Sequence, residues 1–403
     1  MREQFDAVVI GGGLLGCAVA WMLARDGADV LLVERDQINQ HASGQNAGSL
    51  HFQLEYRMIE KGIDAAKRAA EAMPLHLEAA RLWARLAEEV GEPLGVVQNG
   101  GLMLAEDAAQ ASLLETKADI ERSWGLDVQL LDGPQVHAMA PYLSDSVVAA
   151  SYCPLEGKAD TRTAGPAMAR AAIRCGATVR TRTSVDDVRR SGSRWSVSLT
   201  DRDSDDKRRT SIVTTESVIL TSGVWTTEIG DMIGAHLPTV ALALTMTVTA
   251  KTEKFIPHLV QHAGARLSLK QSAEGNVLIG GGWPARLITG VDGSPDFSVR
   301  PELLRASVAG NARAATKVVP RVGSLPALRT WVGTTTVTPD QLPLVGPVPG
   351  APGVFVATGG SAFTLGPSFA QVLAELALGR TPGIDLTPYD PNRYERRVGV
   401  SQP

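Results

Sequence analysis

An α/β fold is predicted for this chain of 403 residues by patterns at its start, middle and end. Near the start, the apolar run Ala7–Ile10 meets three spaced glycines, a helical stretch and a second apolar run, Val30–Val33. Near the end, the apolar run Val354–Ala357 leads through glycines into a helical stretch, Pro367–Leu378. Residues 241–283 alternate short apolar runs with loops, which is typical of an antiparallel sheet. We therefore predict a discontinuous Rossmann-like domain with an inserted domain built on a mixed or antiparallel sheet.

The first glycines have the spacing Gly11-x-Gly13-x-x-Gly16, which is expected of a dinucleotide-binding turn. Gly11 lets the strand turn tightly, Gly13 lets the backbone approach a pyrophosphate, and Gly16 lets the next helix pack against the sheet. The helix N-terminus offers free N–H groups and partial positive charge to the phosphates. Glu34 lies 18 residues past Gly16, near the position of the acid that holds a ribose hydroxyl. The pattern predicts a bound dinucleotide.

The other elements follow from hydrophobic periodicity. Helical spacing covers residues 57–90 with an interruption at Pro74, and it returns over 108–124 and 163–175. Glycines in the middle of 96–104 indicate a hairpin. Further strands are predicted at 178–183, 185–189, 195–199, 218–220 and 240–250.

Composition excludes several classes of function. A net charge of −4 without a basic tract gives no surface for nucleic acid. The three cysteines form no CxxC pair, so neither a disulfide framework nor a metal site is predicted. Because Arg2–Asp6 leads directly into the first strand and no run reaches the ~18 apolar residues of a spanning helix, we expect a cytoplasmic protein. The mixed charge run 201–209 is expected to be a solvated loop.

The absence of a second glycine fingerprint bears on which dinucleotide is bound. Gly280–Gly282 and Gly359–Gly360 lack the required spacing, so no second nucleotide site for NAD(P)H is predicted. The helix near Pro367, which follows Gly359–Gly360, would direct positive charge to the flavin edge where negative charge collects on reduction. These features favour FAD, with electrons that come from a small organic substrate.

Ordered segments along nearly the whole chain point to one family. They are VVIGGGLLGCAVAWMLARDGADVLLVERD (8–36), HASGQNAG (41–48), NGGLMLA (99–105), EGKADT (156–161), ILTSGVW (219–225), VLIGGG (277–282), TPDQLPLVG (338–346) and ATGGSAFTLGPSFAQVLAELALG (357–379). In this order they resemble the FAD-dependent amine and amino-acid oxidoreductases of the D-amino-acid oxidase, glycine oxidase and sarcosine oxidase superfamily. The resemblance implies hydride transfer from the carbon beside an amine to flavin N5, which gives an imine that water hydrolyses.

The resemblance also implies how the chain is divided and which residues hold the cofactor. We expect a discontinuous FAD-binding domain of residues 1–88, 147–228 and 330–403, with a substrate-binding domain of residues 89–146 and 229–329. The expected cofactor-binding residues are Gly11, Gly12, Gly13, Leu15, Gly16, Glu34, Arg35, Ser43, Gln45, Asn46, Ala47, Gly48, Val185, Ser222, Gly223, Trp225, Gly359, Gly360, Phe363, Thr364, Leu365 and Gly366.

Two departures from the family pattern narrow the prediction. Relatives with covalent flavin use a cysteine near the C-terminal end or a histidine in the flavin loop. No cysteine lies beyond Cys175, and Gln45 stands at the histidine position, so non-covalent FAD is implied. The family's W-x-G-x-R segment supplies an arginine for the substrate carboxylate, but here Trp331 is followed by Thr335 at that position.

The substrate must therefore be held in another way. Candidate substrate-positioning residues are His51, Gln53, Lys270, Trp331 and Thr335, with Arg266 and Arg329 as weaker candidates. A packing or surface role remains open for each of them.

The segment SGQNAGSLHFQ (43–53) and the missing arginine most resemble the smaller, FAD-bearing subunit of heteromeric opine oxidases. They are also similar to proline-dehydrogenase-type and hydrogen-cyanide-synthase subunits. This implies an opine or related secondary-amine substrate and partner subunits that carry further redox centres. A stand-alone glycine, sarcosine or D-amino-acid oxidase that makes hydrogen peroxide is the alternative. A non-catalytic FAD scaffold or a domain acting on a modified tRNA base is a third possibility, although the acidic balance argues against RNA.

Overall fold

The computed structural model describes residues 3–202 and 207–394. Residues 1–2, 203–206 and 395–403 lie outside the described ranges. They include the centre of the charged run 201–209 and the outer ends of the predicted domain segments 1–88 and 330–403. The helices are α1 (Leu14–Arg25), α2 (Ala42–Gln45), α3 (Tyr56–Ile59), α4 (Ile63–Ala70), α5 (Met73–Val90), α6 (Ala108–Ser123), α7 (Gly133–Met139), α8 (Ala164–Arg174), α9 (Thr226–Ile233), α10 (Arg305–Val318) and α11 (Gly366–Ala377).

The strands form two large sheets and one small one. They are β1 (Glu3–Ile10), β2 (Val30–Val33), β3 (Ser49–Leu50), β4 (Gly101–Ala105), β5 (Gln129–Asp132), β6 (Ala149–Cys153), β7 (Gly157–Lys158), β8 (Thr178–Arg180), β9 (Thr183–Ser191), β10 (Arg194–Arg202), β11 (Arg208–Leu220), β12 (Val240–Lys251), β13 (Leu259–His262), β14 (Ser268–Gln271), β15 (Asn276–Gly280), β16 (Ala327–Val337), β17 (Leu344–Pro347) and β18 (Val354–Thr358).

The first sheet is the predicted Rossmann-like part of the fold. Parallel strands run in the order β18-β11-β1-β2-β8, and β17, β10 and β9 extend the sheet by antiparallel pairing. Helices cover both faces, so Ala7 and Val9 join one apolar core with α1, α8 and α11, while Val8 and Ile10 join a second core. The glycine turn follows β1 between its neighbours β2 and β11, at the carboxyl edge where ligands bind in such sheets.

The second sheet is mixed, as the sequence predicts. Its order is β16-β12-β15-β14-β13-β4-β6-β5, with the β13–β4 pair parallel and the other pairs antiparallel. The small β3–β7 ribbon pairs Ser49–Leu50, directly after the 41–48 loop, with residues 157–158, which ties the end of that loop to a segment more than 100 positions later.

Some predicted elements differ from the structure. The helical stretch 57–90 is divided into α3, α4 and α5, and Pro74 lies in the first turn of α5, where its missing N–H costs nothing. The predicted hairpin at 96–104 is wrong, because Val97 bridges to Lys158 instead and only Gly101–Ala105 forms a strand.

The division into two domains remains our proposal, with two strands reassigned. β6 lies after the predicted boundary at 147 and most of β16 lies after the boundary at 330, yet both pair in the second sheet. Their hydrogen bonds place them with the substrate-binding domain. Among the described helices, none is both long and apolar enough to cross a membrane.

Candidate active site

The glycine turn between β1 and α1 has no room for side chains. Gly11 has φ +111°, and a Cβ there would lie 2.6 Å from the carbonyl oxygen of Thr221. A Cβ on Gly16 would lie 1.8 Å from the carbonyl oxygen of Gly11, and one on Gly13 would lie 2.9 Å from Ser43 Oγ. The backbone of the turn is therefore exposed for close approach by a ligand.

Charge and free donors around the turn suit a pyrophosphate and a ribose. Helix α1 has Gly13 as its N-cap, without a side-chain cap or an acidic residue in its first turn. Glu34 accepts hydrogen bonds from the backbone N–H groups of Gly12 at 2.7 Å and Asp36 at 2.8 Å. Each carboxylate oxygen keeps a lone pair that a ribose hydroxyl can use.

A cavity of about 1650 Å³ contains both the glycine turn and the buried Lys270 on β14. This volume exceeds the ~300–1,000 Å³ of ordinary small-molecule pockets, so an extended dinucleotide and a substrate can share it. The predicted residues that line it are Gly11, Gly13, Glu34, Arg35, Ser43, Gln45, Asn46, Ala47, Val185, Ser222, Gly223, Trp225, Lys270 and Trp331. The glycine cradle, the α1 N-terminus without an acidic residue in its first turn and the volume fit FAD.

The loop 41–48 is held rigidly against the cavity. The amide of Asn46 donates to the carbonyl oxygens of Ala42 and Ser43, and its Oδ1 accepts the N–H of Gly48 at 2.6 Å. From the second sheet, Trp331 Nε1 donates to the carbonyl oxygen of Gln45 at 2.7 Å. The two sheets therefore meet at this loop.

Aromatic and cationic groups surround Trp225 at the cavity wall. The guanidinium of Arg35 lies 4.7 Å from the centre of the Trp225 ring. The rings of His41 and Phe297 meet the same indole edge-on at 5.0 and 5.6 Å. All four residues line the cavity. His41 begins the segment HASGQNAG but was not among the predicted site residues, and Phe297 was missed because it comes from a distant segment without a motif.

The C-terminal glycine segment lies behind the 41–51 loop. Thr364 Oγ1 donates to the carbonyl oxygen of Ser49 and accepts the N–H of His51, while Phe363 stacks on Trp83. Cofactor contact by this segment remains a prediction. The predicted residues that do not line the cavity are Gly12, Leu15, Gly16, Gly48, His51, Gln53, Thr335, Gly359, Gly360, Phe363, Thr364, Leu365 and Gly366.

Lys270 is the predicted substrate residue with the most unusual surroundings. Its side chain is buried, and Nζ has no hydrogen-bond partner in the described residues. Burial lowers the pKa of this amine well below its ordinary value, and the nearby charge of Lys158 lowers it further. A buried amine without a partner beside a cavity is available to a ligand.

His51 and Gln53 lie in the second layer around the cavity. His51 Nε2 is 3.0 Å from Ser268 Oγ, and burial lowers the pKa of His51 to about 4. The amide oxygen of Gln53 accepts hydrogen bonds from Lys117 and Ser151, so its polar atoms are already occupied.

The remaining candidates lie on or near β16. Thr335 is half-buried and pairs with Leu242 in the sheet. Arg329 lines the cavity, with its guanidinium 5.0 Å from the centre of the Trp331 ring. Arg266 donates to the carbonyl oxygen of Gly282 at an exposed position. Of these three, only Arg329 shares the space of Lys270.

Sequence analysis missed a buried charged network beside His51. Glu156, Lys117 and Glu121 are almost wholly buried, and Lys117 pairs with Glu121 at 2.8 Å. Burial raises the pKa of Glu156 to about 7. Lys117 and Glu121 have the i, i+4 spacing of a solvated helical pair, so their spacing gives no indication that they are buried. Glu156 belongs to the segment EGKADT, which sequence analysis quoted without assigning this residue a role.

Comparison with known proteins identifies the family of this chain. The family described as FAD dependent oxidoreductase (DAO) matches residues 6–376. Glycine oxidase of Geobacillus kaustophilus (strain HTA426) is 26% identical, covering 99% of this chain and 100% of that protein. A subunit of the opine oxidase of Rhizobium meliloti is 25% identical, covering 97% and 98%. Mitochondrial sarcosine dehydrogenase of Mus musculus is 26% identical, but the chain spans only 42% of its length.

Solved structures share the fold. The crystal structure of glycine oxidase from Geobacillus kaustophilus has a TM-score of 0.83 at 24% identity, covering 97% of this chain and 99% of that one. L-proline dehydrogenase from P. horikoshii has a TM-score of 0.82 at 24% identity, covering 98% and 99%. With the match to residues 6–376, the chain belongs to the DAO family of FAD-dependent oxidoreductases.

Proposed function

We propose that this FAD-dependent amine oxidoreductase oxidises the C–N bond of an opine or a related secondary-amine amino acid. The observation that carries the proposal is one cavity in which the FAD-type glycine turn and the unpartnered amine of Lys270 share a space. Full-length similarity to the opine oxidase subunit of Rhizobium meliloti supports the substrate class, as does Thr335 at the position of the family's carboxylate-binding arginine.

We further propose that the chain acts as the catalytic subunit of a heteromeric dehydrogenase or oxidase. The similarity to opine oxidase supports this role, because the matched protein is named as one subunit of an assembly. The alternative is a stand-alone oxidase of glycine, sarcosine or a D-amino acid that produces hydrogen peroxide, which the similarity to glycine oxidase favours.

The chain's own residues bind and orient the reactants. The glycine turn and the α1 N-terminus would hold the pyrophosphate of FAD, and Glu34 would hold a ribose. FAD, when bound, supplies the acceptor for a hydride from the carbon beside the amine. Gln45 offers no nucleophile for a flavin bond, so we propose that FAD is held without a covalent link. Because Lys270 Nζ has no hydrogen-bond partner among the residues that the structure describes, a substrate group can complete its hydrogen bonds.

Lys270→Met and His51→Ala test the proposed substrate contacts. We expect both variants to keep FAD, since neither side chain contacts the glycine turn. Lys270→Met should raise KM about tenfold or more through loss of a hydrogen bond to the substrate, and His51→Ala, whose ring does not line the cavity, should raise KM less. Lys251→Met, which removes an exposed lysine on β12 of the same sheet, is the control and should leave KM unchanged. Steady-state constants equal to those of the wild type would remove the substituted residue from the site.

The subunit role is tested by purifying the chain alone and together with the proteins encoded beside its gene. We expect the lone chain to bind FAD but to reduce oxygen slowly, and the co-purified assembly to pass electrons to an added acceptor. A lone chain that turns over rapidly with oxygen, makes hydrogen peroxide and binds none of these proteins would contradict the subunit proposal and support the alternative.

A further inference from the structure

A row of polar groups leads from the cavity region to the buried carboxylate of Glu156. Ser49 Oγ and Ser268 Oγ are 3.3 Å apart, and Ser268 Oγ is 3.0 Å from His51 Nε2. On the other side of the ring, His51 Nδ1 lies 4.0 Å from Glu156 Oε1. Both serines are partly accessible. Ser268 lies two residues from Lys270 on the same face of β14, and Lys270 lines the cavity.

Two features of this row are costly if its role is only packing. His51 Nδ1 is buried and has no hydrogen-bond partner in the described residues, so its desolvation is not offset by a hydrogen bond. Glu156 is wholly buried, and its Oε1 accepts the backbone N–H groups of Phe52 at 2.9 Å and Gln53 at 3.0 Å. These donors fix one carboxylate oxygen beside the unpartnered ring nitrogen.

We propose that Glu156 accepts the ammonium proton of the substrate through Ser268 and His51. This inference rests on the proposed amine oxidation, which needs the amine in its neutral form so that its lone pair can assist loss of hydride. One N–H bond of the ammonium ion breaks and its proton goes to Ser268 Oγ, while the original O–H proton of Ser268 passes to His51 Nε2. His51 gives the proton on Nδ1 to Glu156 Oε1, so the ring stays neutral and no electrons change hands.

The surroundings suit each group to this transfer. His51, whose pKa burial lowers to about 4, is neutral at pH 7 and can exchange one proton for another. Glu156, whose pKa burial raises to about 7, accepts a proton near the working pH, where a general base is most effective. A shift of the His51 ring by about 1 Å brings Nδ1 within hydrogen-bond distance of the carboxylate.

Other titratable and charged groups lie beside this row and influence the pKa values of His51 and Glu156. The groups beside His51 are Glu55, Arg57, His76 and Lys270, and those beside Glu156 are Lys117, Glu121 and the Cys153 thiol. Lys117 is paired with Glu121, so Glu156 does not receive its full positive charge. The carboxylate can therefore be protonated during turnover.

Anaerobic reduction of the FAD-loaded enzyme across about pH 6 to 10 tests the proposal. The probe is whichever of octopine, L-proline and sarcosine reduces the wild type fastest. We expect Glu156→Gln to be about 100-fold slower than the wild type at pH 7, because the base is lost. Near pH 10, where a free amine begins to lose its own proton, the two rates should converge. A glutamine keeps the oxygen that accepts both backbone N–H groups, but its NH2 group replaces the oxygen that accepts the side-chain amide of Gln53 at 3.0 Å.

The pH profile separates proton transfer from a structural role. A structural defect slows flavin reduction by a similar factor at every pH, and that result would overturn the proposal, as would an unchanged rate at pH 7. If Glu156→Gln does not retain FAD, Ser268→Ala carries the same test, since it removes the bridging hydroxyl from a partly accessible position. Ser123→Ala, which removes a remote exposed hydroxyl, is the matched control.

The failure of this inference can be told from the failure of the proposed function. If the probes reduce the flavin and the profile of Glu156→Gln and Ser268→Ala matches that of the wild type, only the proton path is overturned. If no probe reduces the flavin of the wild type at any pH, amine oxidation itself is contradicted, and the proton path with it.

Discussion

Gly16 shows at the scale of one residue why the first turn of α1 determines cofactor binding. A methyl group there would meet the carbonyl oxygen of Gly11 at 1.8 Å, and a backbone atom cannot move aside as a side chain can. We expect Gly16→Ala to lower the free energy of unfolding by about 1–3 kcal/mol and to yield protein without FAD. The ratio of flavin to protein absorbance and urea denaturation measure the two effects.

Gly383→Ala is the matched control for this substitution, since a Cβ there would meet nothing within 4 Å. It should change stability by no more than ~0.5 kcal/mol and leave FAD bound. Full FAD content in Gly16→Ala would contradict the role given to the turn.

Single residues also show where sequence analysis reaches its limit. The glycine turn and Glu34 could be predicted, because their spacing is set by local backbone geometry. Lys117 and Glu121 could not, because charged residues on a helix ordinarily face solvent and only tertiary packing buries this pair. The partnerless Lys270 was a candidate by position, but its isolation depends on side chains from other strands.

At the scale of elements, the contact between β16 and the 41–48 loop joins the two sheets. Trp331→Phe keeps the aromatic packing but removes the indole N–H that binds the carbonyl oxygen of Gln45. We expect a loss of about 1 kcal/mol, which raises the Kd for FAD about fivefold. Titration of the apoprotein with FAD, followed by flavin fluorescence, measures this change.

Trp283→Phe is the control, because Trp283 Nε1 makes a similar bond to the carbonyl oxygen of Arg266 and its side chain is not among those that line the cavity. It should leave the Kd for FAD unchanged. Equal effects of the two substitutions would show that the Trp331 bond has no special influence on the loop.

The carboxylate of Asp340 binds two residues of the segment that follows α11. Asp340 accepts hydrogen bonds from Arg393 at 2.9 Å and from the Tyr394 hydroxyl at 2.7 Å. Burial alone raises the pKa of Asp340, but these partners outweigh it and hold the pKa at about 2. Because the folded pKa is depressed, this stabilisation is present above about pH 4 and is lost as the pH falls toward 2.

Asp340→Asn should therefore lower the free energy of unfolding by about 2 kcal/mol at pH 7. The difference from the wild type should shrink between about pH 4 and 2. Urea denaturation across this range measures it, with the exposed Asp385→Asn as the control. A difference that does not change with pH would contradict the assignment to Asp340.

Elements were easier to predict than their ends and partners. α6 and α11 agree closely with the predicted helices because their apolar periodicity is long and uninterrupted. The hairpin at 96–104 failed because Val97 pairs with a strand 61 positions later, at Lys158, and local sequence carries no record of such pairing. The pairing of β6 and β16 in the second sheet, across the proposed boundaries at 147 and 330, is likewise not recorded in local sequence.

At the scale of the whole molecule, the two sheets form one cavity from distant parts of the chain. The glycine turn comes from the first sheet, Lys270 and Trp331 come from the second, and the 41–48 loop connects them. This arrangement lets a dinucleotide bound on one sheet present its reactive end to a substrate held on the other. We therefore expect amine oxidation at a bound FAD to be the activity of this cavity.

Anaerobic titration of the FAD-loaded chain with candidate substrates tests that claim most directly. The panel comprises opines, proline, sarcosine, glycine and D-alanine, with α-glycerophosphate as an amine-free control, and flavin absorbance is the readout. We expect at least one secondary amine to bleach the flavin in proportion to the concentration of the amine, and we expect the control to leave the flavin absorbance unchanged. Bleaching by the control alone, or by none of the amines, would contradict it.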